Sequence, residues 1–361
     1  MSAKNAVDEL KSGLKASKAN EREEAIGAFC RRLMIEGEVD VPQPAIELVI
    51  NCLEEDKSSA VRMAAADFLA WTAEWTHTEM SDEQLKRCCS MLEDKAREKC
   101  HPLLARSMGY IPTDNVRKMR VKVLRSTLRN SKDEEAKIQA IEALGRLKAT
   151  NARQDLLDAL EDKSEAIRHT SVLAFGLMGE RRGIEAQLIN HLGIEKSQEV
   201  RAATINSLCL MGSRKVRAAL VKIVEATKED DMVRVEALKA VPVLYHEKFQ
   251  DCLLTSLVDE SERLRGVGCL LMIEQRMDLE EDGFEEKLKA AATAMEGKPE
   301  QALLLWSLHK WRCAIAGRGS MPEYNRRLDD FLVEYAEQSL LNDPTVLTSR
   351  GYSKDKKKGP A

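Results

Sequence analysis

Apolar residues in this chain fall at helical offsets, and the motif they form keeps returning. A basic residue marks each copy, at Arg62, Lys137, Arg168, Arg201, Arg234 and Arg265. One residue before the mark stand Val61, Ala136, Ile167, Val200, Val233 and Leu264; four after it stand Ala66, Ile141, Val172, Ile205, Leu238 and Cys269. Seven after it come Leu69, Leu144, Phe175, Leu208, Val241 and Met272. These offsets trace one apolar stripe along a helix. Four residues before the mark stand Ser58, Asp133, Ser164, Ser197, Asp230 and Ser261. All are residue types whose side-chain oxygen can take an orphan N–H of a first helical turn. Three after the mark the residue is small in every copy, at Ala65, Ala140, Ser171, Thr204, Ala237 and Gly268, which predicts close approach by a neighbouring helix.

A second apolar set follows each first one and predicts a second helix. Its members are Leu156, Leu157 and Leu160; Leu188, Ile189 and Leu192; Leu220, Ile223 and Val224; and Leu253, Leu254 and Leu257. The last five marks are 31 or 33 residues apart, while 75 residues separate Arg62 from Lys137, so a divergent copy lies between them. A fixed period of roughly 20–50 residues marks a stacked-repeat protein. One helical hairpin cannot cover its own apolar face, so neighbours must stack on it.

The units Asp162…Ile167-Arg168…Gly176, Glu195…Val200-Arg201 and Asp259…Leu264-Arg265 resemble the HEAT-repeat family, in the short-repeat branch also seen in phycobilin lyase subunits. The resemblance covers residues 45–275. It implies an all-α, right-handed α-solenoid of stacked helical hairpins with divergent helical caps at both ends. It also implies a structural ladder between adjacent repeats, built from Asp56 and Arg62, Asp162 and Arg168, Glu195 and Arg201, and Asp259 and Arg265. The expected organisation is an N-terminal helical cap at 1–53, repeats at 54–283, a C-terminal helical cap at 284–341 and a basic tail at 342–361 that includes Lys354–Lys358.

Composition narrows the picture further. Aromatic residues make up 4% and charged residues 32%, and no alternating β-branched runs predict strands. The nine cysteines include no CxxC pair and fit small buried thiols in a reducing cytoplasm. No stretch has the length and apolarity of a membrane span. The net charge of −4 conceals a pattern: residues 1–100 carry 14 basic and 20 acidic side chains, residues 101–222 carry 22 and 14, and the remainder 20 and 26.

The basic middle contains one unusual helix, Asn115–Asn130. Lys118, Lys122, Arg125 and Arg129 form a stripe along it. B helices commonly line the concave side of HEAT-like solenoids. With Arg153 and Arg217 on later B helices, the stripe would make a positive groove for an acidic protein segment or, alternatively, for a nucleic-acid backbone. A solvated charged face is the bland alternative. Trp71 and Trp75 share one helix face and fit either packing or an aromatic patch.

Recognisable reactive groups are lacking. The six histidines are scattered, and His309 with Cys313 makes only two ligands of a metal site. Deoxyhypusine hydroxylase, of similar architecture, uses several His-Glu pairs for iron, whereas this sequence has only His246-Glu247. No phosphate-binding GxxxxGK[ST] loop or GxSxG elbow occurs, and Gly176-Leu177-Met178-Gly179 reads as a helix C-cap. No catalytic residue, metal or cofactor is expected. The sequence points to a scaffold that binds a partner protein, with polyanion binding or an accessory role to a lyase-type enzyme as alternatives.

Overall fold

The computed structural model describes residues 3–36, 40–76, 79–111, 115–179 and 183–274, together with 290, 291, 293 and 294. Apart from those last four positions, the expected C-terminal cap at 284–341, with His309 and Cys313, lies outside the described residues. So does the basic tail expected at 342–361. The described residues form sixteen α-helices and no strand. None of these helices is long and apolar enough to cross a membrane. The chain divides into two compact units, Met1–Met211 and Gly212–Ala361.

The first unit contains α1 (Ala3–Gly13), α2 (Ala19–Glu36), α3 (Gln43–Glu55), α4 (Ser59–Trp75), α5 (Asp82–Glu93) and α6 (His101–Tyr110). It continues with α7 (Arg117–Asn130), α8 (Glu134–Arg146), α9 (Arg153–Ala159), α10 (Glu165–Met178), α11 (Glu185–Ile194) and α12 (Gln198–Leu210). The even-numbered helices from α2 to α12 stack in order as the A layer. The odd-numbered helices form the B layer, in which α3 packs on α1 and α5, and α7 on α5 and α9. The second unit follows the same plan with α13 (Arg217–Glu225), α14 (Asp231–Leu244), α15 (Phe249–Leu257) and α16 (Glu262–Glu274). There α13 packs on α15 and α14 on α16. Each unit is an α-solenoid of stacked helical hairpins.

The A helices begin where the sequence places their caps. Asp133 accepts the N–H of Ala136, Ser164 that of Ile167, Ser197 that of Val200, Asp230 that of Met232 and Ser261 that of Leu264. Each such cap stabilises its helix by about 1 kcal/mol. Ser58 is the exception: it occupies the N-cap position of α4, but its hydroxyl accepts no N–H. Among the described side chains the apolar stripe is buried, with Val61, Ile141, Val172, Phe175, Ile205 and Leu238 fully enclosed. Pro44 lies in the first turn of α3, where a missing N–H breaks no helical bond.

The small residues Ala65, Ala140, Ser171, Thr204 and Ala237 are fully buried, Gly268 lies against Ser256 and Leu257 of α15, and close approaches between A helices also occur five residues further on. A Cβ on Gly109 would stand 2.9 Å from Ala143 Cα, one on Gly145 2.9 Å from Ala174 Cα, and one on Gly176 2.9 Å from Ser207 Oγ. Gly176 is therefore a packing residue inside α10. The cap is Gly179, whose φ of 66° places it in the left-handed region.

Candidate interaction surface

The acid–base ladder has a different wiring from the one the resemblance implies. Each acid pairs with the basic residue of the repeat before it. Arg22 grips Asp56 at 2.6 and 2.9 Å, Lys137 lies 3.7 Å from Asp162, Arg168 grips Glu195 at 2.8 and 3.1 Å, and Arg234 grips Asp259 at 3.0 and 2.5 Å. Each acid's own repeat supplies a second arginine, which takes main-chain oxygens. Arg62 donates to Asp56 O, Arg168 to Asp162 O and Arg265 to Asp259 O, while Arg201 donates to Leu192 O at 3.2 Å. Burial would raise the Glu195 pKa, but Arg168 and the N–H groups of Ser197 and Lys196 bring it down to about 2. His191, 3.3 Å from Glu195, has its pKa lowered by burial.

Two marks escape the sequence pattern. Arg22 donates to Ala16 O and Ser17 O, just as Arg62 does to Asp56 O and Lys57 O, so α2 carries its own anchor. In the divergent copy the anchor is His101, whose Nε2 lies 3.2 Å from Met91 O and 3.1 Å from Asp94 O. With two carbonyl oxygens facing it, Nε2 carries the hydrogen. The apolar offsets were visible around both, with Ile26 and Phe29 in one copy and Ala105 and Met108 in the other. The cap position holds Lys18 or Arg97 instead of Ser or Asp, which hid the register.

On α7 the basic stripe divides. Arg125 bonds Asp155 at 2.5 Å, and Arg129 bonds the other oxygen of the same buried carboxylate. These two side chains are thus not free cations facing a groove, as the stripe predicts; they tie α7 to α9. Arg120 is fully buried and donates to Met108 O and Ile111 O, and Arg117 donates to Leu147 O. Lys118 and Lys122 remain exposed on successive turns, with no carboxylate within ion-pairing distance among the described residues. Met119, 41% exposed, stands beside them. Arg129 keeps 55% of its side chain exposed despite its bond.

Arg153 is half-buried at the start of α9, and its Nη1 lies 3.9 Å from where a Cβ on Gly183 would stand. Arg217 belongs to the second unit, where its guanidinium lies over the Tyr245 ring at 5.2 Å. On the neighbouring B helices, Arg87 of α5 is held by Glu47 at 2.6 Å, Asn51 at 2.5 Å and Glu54 at 2.5 Å. The Glu54 bonds, and after them the Glu47 bond, raise its pKa against the effect of burial. Trp71 and Trp75 lie on α4, in the A layer; Trp71 is half-buried and Trp75 67% exposed. Among the described residues, no group of three or more His, Cys, Asp or Glu side chains is placed to hold a metal ion.

A stack of capped hairpins in two layers with this ladder is matched by a family description. Residues 121–186 fit the family model of HEAT repeats. These are HEAT repeats. Solved structures of HEAT-like architecture are similar over most of the chain. YibA from Escherichia coli matches with a TM-score of 0.51 and 16% identity, over 82% of this chain and 98% of that one. Importin beta matches with a TM-score of 0.54 and 13% identity, over 84% of this chain and 47% of that one. The complex of CpcE and CpcF of phycocyanin lyase, from Nostoc sp., reaches a TM-score of only 0.41 at 16% identity, over 74% of this chain and 92% of that one. No curated protein matches the sequence. At such identities a likeness shows the fold, and HEAT repeats serve many functions.

Proposed function

We propose that the protein is a non-enzymatic scaffold or adaptor of the cytoplasm, docking an acidic segment of a partner protein on the B-layer face of its HEAT repeats. On this view residues 54–283 carry the docking repeats, 1–53 and 284–341 cap them, and 342–361 form a basic tail. The supporting observation is on α7, where Lys118 and Lys122 stand exposed and without a carboxylate partner beside the apolar Met119. Two cations flanking an exposed apolar side chain suit a segment in which carboxylates alternate with apolar residues. Arg129 and Arg153 extend the same layer towards α9. The polyanion alternative is the weaker of the two. Arg125 and Arg129 spend much of their charge on Asp155, which leaves few cations to track a phosphate backbone.

Fluorescence anisotropy with a labelled poly-glutamate peptide tests the proposal. The Lys118→Glu/Lys122→Glu double variant should bind at least about tenfold more weakly than the natural chain, which corresponds to about 1.4 kcal/mol. A single-stranded oligonucleotide should bind more weakly than the peptide at equal salt. Equal peptide binding by the natural chain and the double variant contradicts the proposal, and tighter binding of the oligonucleotide favours the polyanion alternative.

A further inference from the structure

The ladder lacks its carboxylate at three places: six residues before His101, Lys137 and Arg234 stand Lys95, Ser131 and Lys228. In four places an anchor cation meets the carboxylate six residues before the next anchor: Asp56, Asp162, Glu195 and Asp259. Each of those carboxylates also accepts a turn N–H or an arginine N–H that fixes its place; Ser58, Ser164, Ser197 and Ser261 supply the turn groups. After Arg62 the next anchor is His101, and the residue six before it is Lys95. A cation thus stands where the four closed rungs have Asp56, Asp162, Glu195 or Asp259. The guanidinium of Arg62 bonds the main-chain oxygens of Asp56 and Lys57, and no carboxylate lies within ion-pairing distance of Arg62, Lys95 or Lys99 among the described residues.

At the Lys95 position there is a cavity of about 240 Å³, lined by Ser59, Arg62, Lys95, Arg97, Glu98 and Lys99. A 3-10 stretch, Lys95–Cys100, forms one of its walls. Arg97 is already committed, to the Asp94 carboxylate and to Leu53 O and Glu54 O. That leaves Arg62, Lys95 and Lys99 against the single carboxylate of Glu98. The 17-residue helix α4 begins here, and Ser58 leaves its first-turn N–H groups without a side-chain acceptor. The positive end of its dipole adds to the attraction for an anion.

We propose that this cavity binds a phosphate group, which takes the place of the missing rung carboxylate between Arg62 and Lys95. A phosphate monoester carries about −1.5 to −2 charges at neutral pH, matching the surplus of two cations better than a carboxylate does. The site lies at the turn between α5 and α6 and is independent of the B-layer face. Calorimetric titration of the full chain with inorganic phosphate, and in parallel with O-phosphoserine, tests it. Saturable one-to-one binding is expected. Lys95→Glu, which rebuilds the rung internally, should weaken it at least about tenfold and raise the thermal midpoint. Lys95→Gln should weaken binding less than Lys95→Glu does. Lys132→Glu, an equal charge change at an exposed lysine elsewhere, should leave it unchanged. Tighter binding of O-phosphoserine assigns a phosphorylated side chain as the source, and equal or tighter binding of inorganic phosphate assigns the free ion. No saturable binding, natural-strength binding by Lys95→Glu, or equal weakening by Lys132→Glu overturns the site.

Discussion

Glu195 carries much of the pH dependence of this fold. Its side chain is 4% exposed, and its pKa falls from 4.5 unfolded to about 2 folded. A carboxyl lowered in this way stabilises the fold above pH 4.5 and loses that contribution as the pH falls towards 2. Asp56, lowered by its Arg22 bonds, acts in the same direction; so does Asp259, where burial is outweighed by Arg234, the Ser261 N–H and Arg265 together. His191 is a base lowered by burial, so it costs stability as the pH falls below 6.5. Acidification should therefore lower the urea midpoint in two stages, shallow below pH 6.5 and steeper below pH 4.5. Glu195→Gln should cost about 1.5–3 kcal/mol at neutral pH, because Arg168 loses a charged partner. It should also flatten the steeper stage, and an unchanged acid slope in that variant would show that Glu195 is not the group responsible. Arg120→Met tests another buried charge. It leaves Met108 O and Ile111 O without their donor and should cost about 1–3 kcal/mol by urea unfolding.

Between helices, two glycines behave oppositely. Gly145→Ala gains about 1 kcal/mol of helix propensity, but its Cβ would lie 2.9 Å from both Cα and Cβ of Ala174 on α10. Backbone cannot move aside cheaply, and overpacking costs about 1–3 kcal/mol, so the variant should be less stable. Gly193→Ala, with nothing within 4 Å of the new Cβ, should be more stable by up to about 1 kcal/mol. Thermal unfolding of the pair decides it, and matching signs would contradict the packing described for α8 and α10. Helix identity and the inner stripe were readable in the sequence because both depend on neighbours within one or two turns. The anchors at Arg22 and His101 were hidden because Lys18 and Arg97 replace the capping residue. The fate of the α7 stripe was hidden for another reason. Asp155 is 30 residues from Arg125 and 26 from Arg129, and periodicity gives the face a cation occupies but not the acid brought up to it. Gly176 looked like a cap because its role depends on Ser207, on the next A helix.

For the molecule as a whole, HEAT repeats build stability from neighbouring hairpins and leave long faces open to partners. On the B layer of the first unit Arg87 is spent on Glu47 and Glu54, and Arg125 and Arg129 on Asp155. What remains for a partner is concentrated at Lys118 and Lys122, so docking should be local to α7 rather than spread along the layer. Its strength should fall as salt rises, since exposed charges are screened beyond about 10 Å at 0.1 M ionic strength. The most direct measurement is lysine footprinting with an amine-reactive label, with and without bound poly-glutamate peptide. Protection of Lys118 and Lys122, with Lys132 and Lys148 labelled as before, is the result expected. Unchanged labelling of Lys118 and Lys122 under saturating peptide would contradict it.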